Sequence, residues 1–322
     1  MQQTGNLGVF DELYKQFGTM GIVQDNPPLL AHYTTIDTLE KILRDEQLWF
    51  SNPLFMNDFQ ELRFGISTGA NIFLNSPEVR DSMQSTSRAD LIFGEFSKHL
   101  QLDRDKTVLD TYIFCLSEHG QSDSDGRLSM WRAYGGRGNG AALVLNIAPL
   151  KAQTGPVPIL LSKVRYKTFE QQTEMLAVLI SSWCNAVRLA NIPDDLLSWA
   201  ALNAFLLIKY FALTTKHSGF DEEKEWRLIY TSENDHTRFL SDSLSYIIGP
   251  RGVEPKLKFK IAPIPGLNLP DMSLATFLDR IILGPTVSQP LAFASIKRMI
   301  DSIGKPRFNQ LLRASSIPFR DV

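Results

Sequence analysis

Glu223 and Glu225 stand two apart at the head of the stretch EEKEWRLIY, whose residues 224–230 read as a strand. Residues i and i+2 of a strand share a face, so two carboxylates there form an acid pair able to stabilise a cation or share a proton. Trp226, Leu228 and Tyr230 take the other face. The plainer alternative is the wet side of an edge strand. His32 lies inside the apolar run LLAHYT, with Thr34 on its own face and Tyr33 on the opposite one. A histidine in a buried strand has two ring nitrogens to satisfy, so it either bonds within the fold or meets a ligand. A third group is CLSE followed by RLSMWRAY. It brings Ser117, Ser129 and two large aromatics towards one strand end, and Trp131 and Tyr134, three apart, share a helical face. Core packing is the plainer role for Trp131.

The run MWRAYGGRGNG at 130–140 invites a phosphate-binding reading, but its order is helix, glycines, strand. Phosphate cradles run strand, glycines, helix, because the anion sits on free N–H groups at a helix start. Gly135 and Gly136 are therefore expected to end the helix in a left-handed conformation, with Asn139-Gly140 as a tight turn. Arg137 sits on that turn. Metal-assisted hydrolysis would draw on His32, Asp58, Glu61, His119 and Glu225, yet no HxxxH, HxH or HxD spacing supports a closed site. Nucleophilic hydrolysis has no GxSxG elbow, and neither Cys115 nor Cys184 has a histidine beside it in sequence. A non-enzymatic reading, a nucleotide sensor or protein-binding module, stands against these.

The elements that must position these groups alternate irregularly. Strands are expected at 29–34, 48–53, 111–118, GAALVLNI, 159–166 (as hairpin partner of GAALVLNI), 224–230, LSYIIG and RIILGP. Helices are expected at 10–17, TIDTLEKILRDEQ (capped by Thr34 or Thr35), from FMNDFQELRFGI (capped by Asn57 or Asp58), 76–100, RLSMWRAY, 169–190, 194–215 and 289–303. This mixture is α+β rather than a doubly wound sheet. The organisation expected is a single domain over 1–322, with sheet halves at 28–168 and 216–322 and a helical insertion at 169–215. The helix at 194–215 is apolar around much of its girth, which means deep burial or a homo-oligomer contact.

With 322 residues, 43% apolar and 21% charged, the chain has the composition of an ordinary globular protein. A net charge of −2 argues against bulk electrostatic attraction to nucleic acid or anionic lipid. Two cysteines make no disulfide framework, so a reducing cytoplasm is expected. The opening MQQTGNLGVFDELYKQFG lacks a basic region and an apolar core, so no signal peptide is expected, and no apolar run is long enough to suggest a membrane helix.

Taken in order, the segments resemble a known layout. LAHYTTIDTLEKILRDEQLWFSNP is similar to the first motif of ADP-ribosyltransferase-like proteins: a strand with His then a small hydroxyl residue, a helix, and a strand ending in Ser, here Ser51. CLSE…SMWRAYGGRGNGAALVL resembles their second motif, and EKEWRLIY their third, a strand that starts with the catalytic Glu. The string HYT, NDFQE, CLSE, MWRAY, EKEWR also resembles, over most of the chain, a bacterial family known as domain of unknown function 2971. The resemblance implies a split mixed or antiparallel sheet with flanking helices, holding NAD as substrate. It gives His32 the adenosine ribose, with Thr34 helping. Ser51 and Ser129 join the cofactor-binding set as motif residues. Tyr134 or Trp131 would stack on nicotinamide. Arg132 or Arg137 would meet the pyrophosphate. Glu225 would stabilise the cation formed as the glycosidic bond breaks, and Glu223 would orient the acceptor. The acceptor would be a protein or nucleic acid, or water in a glycohydrolase, and such proteins act as toxins, effectors or defence factors. His32, Tyr134 and Glu225 should then line one cleft. Tyr33 stands where many relatives carry Gly, which would narrow the adenosine site, and Asn57, Asp58 and Glu61 have no place in the scheme.

Overall fold

The computed structural model describes residues 8–20, 26–56, 59–105, 107–136, 139–152, 158–232, 235, 238, 240–249, 252–263 and 271–318. Asn57, Asp58 and Arg137 lie outside them. In chain order the elements are α1 (Asp11–Tyr14), β1 (Thr19–Met20), β2 (Leu29–Thr35), α2 (Ile36–Asp45), β3 (Gln47–Ser51), α3 (Phe59–Asn75), α4 (Pro77–Ser82), α5 (Thr86–Asp105), β4 (Thr111–His119), α6 (Leu128–Tyr134), β5 (Gly140–Leu145), β6 (Ile159–Lys163), β7 (Arg165–Lys167), α7 (Phe169–Ala190), α8 (Leu197–Leu213), β8 (Thr215–His217), β9 (Glu225–Thr231), β10 (Leu244–Gly249), β11 (Gly252–Lys260), α9 (Leu274–Phe277), β12 (Leu278–Leu283), α10 (Pro290–Ser302) and β13 (Leu312–Ala314). The fold is mixed α and β. It divides into two compact units, residues 1–18, 52–111 and 162–221 in one, and 19–51, 112–161 and 222–322 in the other.

The first unit is helical. α8 packs on α3 and α5, and α7 packs on α3 and α4. Thr168 starts α7 with a capping box to Gln171, and Asn191 ends it in a left-handed conformation. The aromatic centre is Phe73, stacked on Phe96 with ring centroids 4.2 Å apart and edge-on to Trp183 at 5.1 Å. α3 comes close to α8 because it carries Gly65 and Gly69. A Cβ on Gly69 would lie 2.5 Å from Ile208 Cγ2. Apolar on most sides, α8 buries Leu197, Ala200, Ala204, Phe205, Leu207 and Ile208 among others. The segment Asp194–Leu213 is long and apolar enough to cross a membrane by length and composition, but 67% of its apolar window is buried, as in the core helix of a globular unit. The polar stretch at 76–100 forms two helices, α4 and α5, broken at Met83–Ser85.

The second unit is built on a mixed sheet. Its order is β1-β6-β9-β4-β2-β5-β12-β13, and a branch β10-β11-β3 also meets β4. In this sheet β1–β6, β10–β11, β11–β3, β3–β4, β4–β2, β2–β5 and β5–β12 pair antiparallel, and β12–β13 pair parallel. The branch point is β4. Its end pairs with the start of β2, Ser117 to His119 against Ala31 to Leu29, while Ile113 pairs with Ser51 on β3. β5 sits between β2 and β12, and all six of its residues are buried. Both of its edges are thereby occupied, so the strand at 159 pairs with β1 and β9 instead of forming the hairpin with β5 that the sequence suggests.

Two apolar layers sandwich the sheet. Leu30, Phe50, Phe114, Leu143, Trp226 and Tyr230 point to one side, where Leu39 and Leu43 of α2 and Ile296 and Ile300 of α10 cover them. Leu29, Ala31, Tyr33, Ala142, Val144 and Ile282 point to the other, against Met130 and Trp131 of α6. The alternation of LLAHYT thus feeds two cores. Thr35 caps α2, its hydroxyl accepting the Thr38 N–H at 3.3 Å.

Candidate functional site

α6 is positioned from both of its ends. Ahead of it, Asp123 Oδ1 accepts the N–H groups of Asp125 and Gly126, each at 2.9 Å, turning the chain through Gly126 at φ 73°. Arg127 occupies the N-cap and its N–H donates to the Tyr33 hydroxyl at 3.0 Å. Behind it, the Gly135 N–H closes the helix on the Trp131 carbonyl at 2.9 Å, and Gly136 takes the left-handed conformation at φ 54°. The glycines are a helix end and a turn. The Asn139 carbonyl then accepts the Ile36 N–H at 2.9 Å.

The Arg127 guanidinium is the organiser of this corner. It donates to Ser117 Oγ at 2.9 Å, to the carbonyls of Glu222 and Glu223 at 3.3 and 3.2 Å, and to the Glu118 carbonyl. Ser117 Oγ donates in turn to the Glu223 carbonyl at 2.6 Å, and Glu118 N–H to the Lys224 carbonyl at 2.9 Å. The end of β4 and the turn entering β9 are therefore laced together. This holds the Glu223 carboxylate beside Tyr134, whose hydroxyl donates to Oε1 at 3.2 Å. Of the two aromatics on α6, Trp131 is buried edge-on against Tyr33, centroids 4.8 Å apart, with its Nε1 donating to the Asp125 carbonyl. Tyr134 is 38% exposed. Arg132 is exposed and Ser129 half-buried on the same helix.

Glu223 and Glu225 come together differently from the strand geometry the sequence suggests. Glu223 closes a 3-10 turn, Lys224 has φ 41°, and β9 begins only at Glu225. The period of two does not reach across that turn. β9 is also no edge strand, lying between β6 and β4, and Glu225 is buried. Its two oxygens take a forked bond from Arg227, Nε to Oε1 at 2.9 Å and a terminal nitrogen to Oε2 at 3.0 Å. Trp226 and Tyr230 belong to the α2 side of the sheet, so Glu225 and Arg227 face the α6 side, as does Ser117 opposite Ala31.

His32 points the other way. Its ring stacks on Phe114 with centroids 4.2 Å apart, and Nδ1 meets the Cys115 carbonyl at 2.9 Å. A carbonyl only accepts, so Nδ1 carries the proton. Burial pushes the ring down to about 4 from its ordinary 6.5, opposed by that hydrogen bond, and the imidazole is neutral near pH 7. β2 and β4 stop pairing at Ala31 and Ser117, and the very next residue, His32, bridges the opening with its side chain. Thr34 is buried on the same face. The bulky Tyr33, expected to narrow the adenosine site, lies on the opposite face against Trp131. Ser51 accepts from Lys256 Nζ at 2.9 Å, and Lys256 pairs with Glu254 at 3.4 Å.

The structure thus pairs Tyr134 with Glu223, turns Glu225 to the α6 side of the sheet, and sets His32 and Thr34 on the other. Glu61 lies in the first turn of α3, in the first unit. His119 ends β4 and is buried, its Nε2 at 2.8 Å from the Asp123 carbonyl in the following loop. Among the described residues no group of three His, Cys, Asp or Glu can hold a metal ion. Arg127 and Arg227 went unnoticed in the sequence. Arg127 had a signal, an arginine at an N-cap where Ser, Thr, Asp or Asn is usual, and Arg227 had another, a cation two residues from Glu225 on one strand face. No curated protein and no solved structure matches the chain. Residues 130–228, which hold Tyr134, both acids and Arg227 but not His32, match the family model described as Protein of unknown function (DUF2971), in keeping with the resemblance read from the sequence.

Proposed function

We propose that the second unit binds NAD on the α6 side of its sheet and acts as an ADP-ribosyltransferase. One observation carries this reading: the part-exposed Tyr134 holds the half-buried Glu223 carboxylate by its hydroxyl, two residues before the buried, forked carboxylate of Glu225 that opens β9. Tyr134 would stack on nicotinamide. The C1′–N bond would break with its electron pair leaving on nicotinamide. The acceptor nucleophile would then bond C1′ and give up a proton, and Glu223 would orient that nucleophile. Glu225 would face the ribosyl cation. A carboxylate already fixed by Arg227 needs no reorganisation as the cation develops. His32, on the far side of β2, we assign to holding the branch between β2 and β4 instead of the adenosine ribose. With water as nucleophile the same site would be an NAD glycohydrolase.

The Arg227 fork also favours a second reading. A guanidinium shares the charge of Glu225 and weakens its pull on a cation, which suits a nucleotide-binding module without turnover. The experiment is nicotinamide release from NAD by the purified protein and its Glu225→Gln variant, with cell lysate supplying acceptors. Release that disappears in the variant supports the enzyme. No release, with NAD binding retained by calorimetry and weakened by Tyr134→Ala, supports the binding module. Neither release nor binding removes NAD from the proposal.

A further inference from the structure

β10 is an open edge. Among the described residues it pairs only with β11, over six consecutive positions from Leu244↔Leu257 to Gly249↔Gly252. Its outer face carries Leu244, Tyr246 and Ile248, exposed at 38, 68 and 87%, and Val253 opposite Ile248 is 59% exposed. Edge strands in natural proteins are blunted by a charge, a proline or a bulge, because bare N–H and C=O groups beside apolar side chains recruit another strand. β10, LSYIIG, has no charge and no proline, and its register with β11 has no shift.

Pro255 adds the direction of the free groups. It stands opposite Tyr246, one residue before β11 begins to pair with β3 at Lys256. Having no N–H, proline fits where the ladder asks for no donor. That makes Tyr246↔Pro255 a non-hydrogen-bonded pair. By alternation Leu244, Tyr246 and Ile248 aim their own N–H and C=O groups at the open edge.

We infer that β10 is a dimer interface, in which two copies of this chain pair antiparallel about a two-fold axis at Tyr246. Directly opposite residues share a face. Of the possible registers, the one centred on Tyr246 pairs all three outward-aimed residues. It sets Tyr246 against the partner's Tyr246 and Leu244 against the partner's Ile248. The strand carries no charge, so two copies meet without repulsion, and a charged peptide would find no counter-charge on it. An isologous contact of this kind closes on itself and leaves no strand to recruit a third copy.

Sedimentation velocity over a concentration series tests the association, with the Ile248→Lys variant alongside. Ile248 is largely exposed, so the lysine leaves the fold alone, which circular dichroism confirms. The expected result is a concentration-dependent dimer that Ile248→Lys returns to monomer. A short bismaleimide should link Tyr246→Cys into a covalent dimer and leave Val178→Cys, an exposed site in the first unit, as monomer. A wild-type chain that stays monomeric at its highest soluble concentration overturns the inference. So does a dimer unaffected by Ile248→Lys, or equal linking of the two cysteine variants.

Discussion

Lys209–Asp103 in the first unit and Arg227–Glu225 in the second are both sealed from solvent, at the same 2.9 Å closest approach. They differ in what the bond joins. Lys209 lies on α8 and Asp103 on α5, 106 residues apart, so their bond, with that of Ser198 to Glu95 at 2.8 Å, fixes the register of two helices. Glu225 and Arg227 are two apart on one strand, and the bond between them ties no element to another. Buried pairs add little net stability over an apolar replacement. A pair that crosses elements can be kept for register. A pair within one strand sets no register by its own bond, and that bond fixes the carboxylate. The same chemistry thus serves architecture in one unit and, on the proposed function, a site in the other.

The strongest way to break this contrast is Asp103→Asn, which removes one charge of the helical pair. It should cost about 3 kcal/mol in urea denaturation, and the double variant Asp103→Leu/Lys209→Met should regain most of the loss. A single variant within about 1 kcal/mol of wild type would make the helical pair idle. Next comes acid. His32 has a folded value near 4 against 6.5, so the folded state binds fewer protons in that window. Stability from this group is complete above about pH 6.5 and is lost as the pH falls towards 4, on the order of 3 kcal/mol at most. Urea midpoints at pH 7 and 4.5 should separate in wild type and move closer in His32→Gln, whose amide can still donate to the Cys115 carbonyl. Equal acid sensitivity in the variant would place the effect elsewhere. The smallest stability change belongs to Arg227→Lys. It keeps the charge and loses the fork, so the fold should shift by less than about 1 kcal/mol while nicotinamide release drops at least about tenfold. Release surviving intact in that variant would deny the pair its functional part.

Much of the second unit could be read locally. LLAHYT, its Thr-capped helix and the glycine turn after Tyr134 depend on near neighbours, and each stands where its residues point. Glu223 did not, because one left-handed residue, Lys224, ends the period of two that the reading relied on. The partner of β6 was hidden for another reason. Which strand lies beside which is decided by burial on two faces, and Ile159–Lys163 carries no mark of β9. Arg127 organises the candidate site through carbonyls, which every residue has, so its targets leave no trace in side-chain types. The divergence of His32 and Tyr134 needed the two cores to be seen, since an apolar strand buried on both sides does not announce which face meets which helix.

The three-way meeting at β4 has a consequence for how the chain is made. β4 is bordered by β2, some eighty residues earlier, and by β9, more than a hundred later. β12 likewise enters beside β5 after an intervening stretch of well over a hundred residues. On the ribosome, β2 finds both of its neighbours early, while β3, β4 and β5 wait with a bare side until late strands arrive beside them. The sheet therefore matures from its middle, and at the end of synthesis, while the helices of the first unit already have their neighbours by the time α8 is complete.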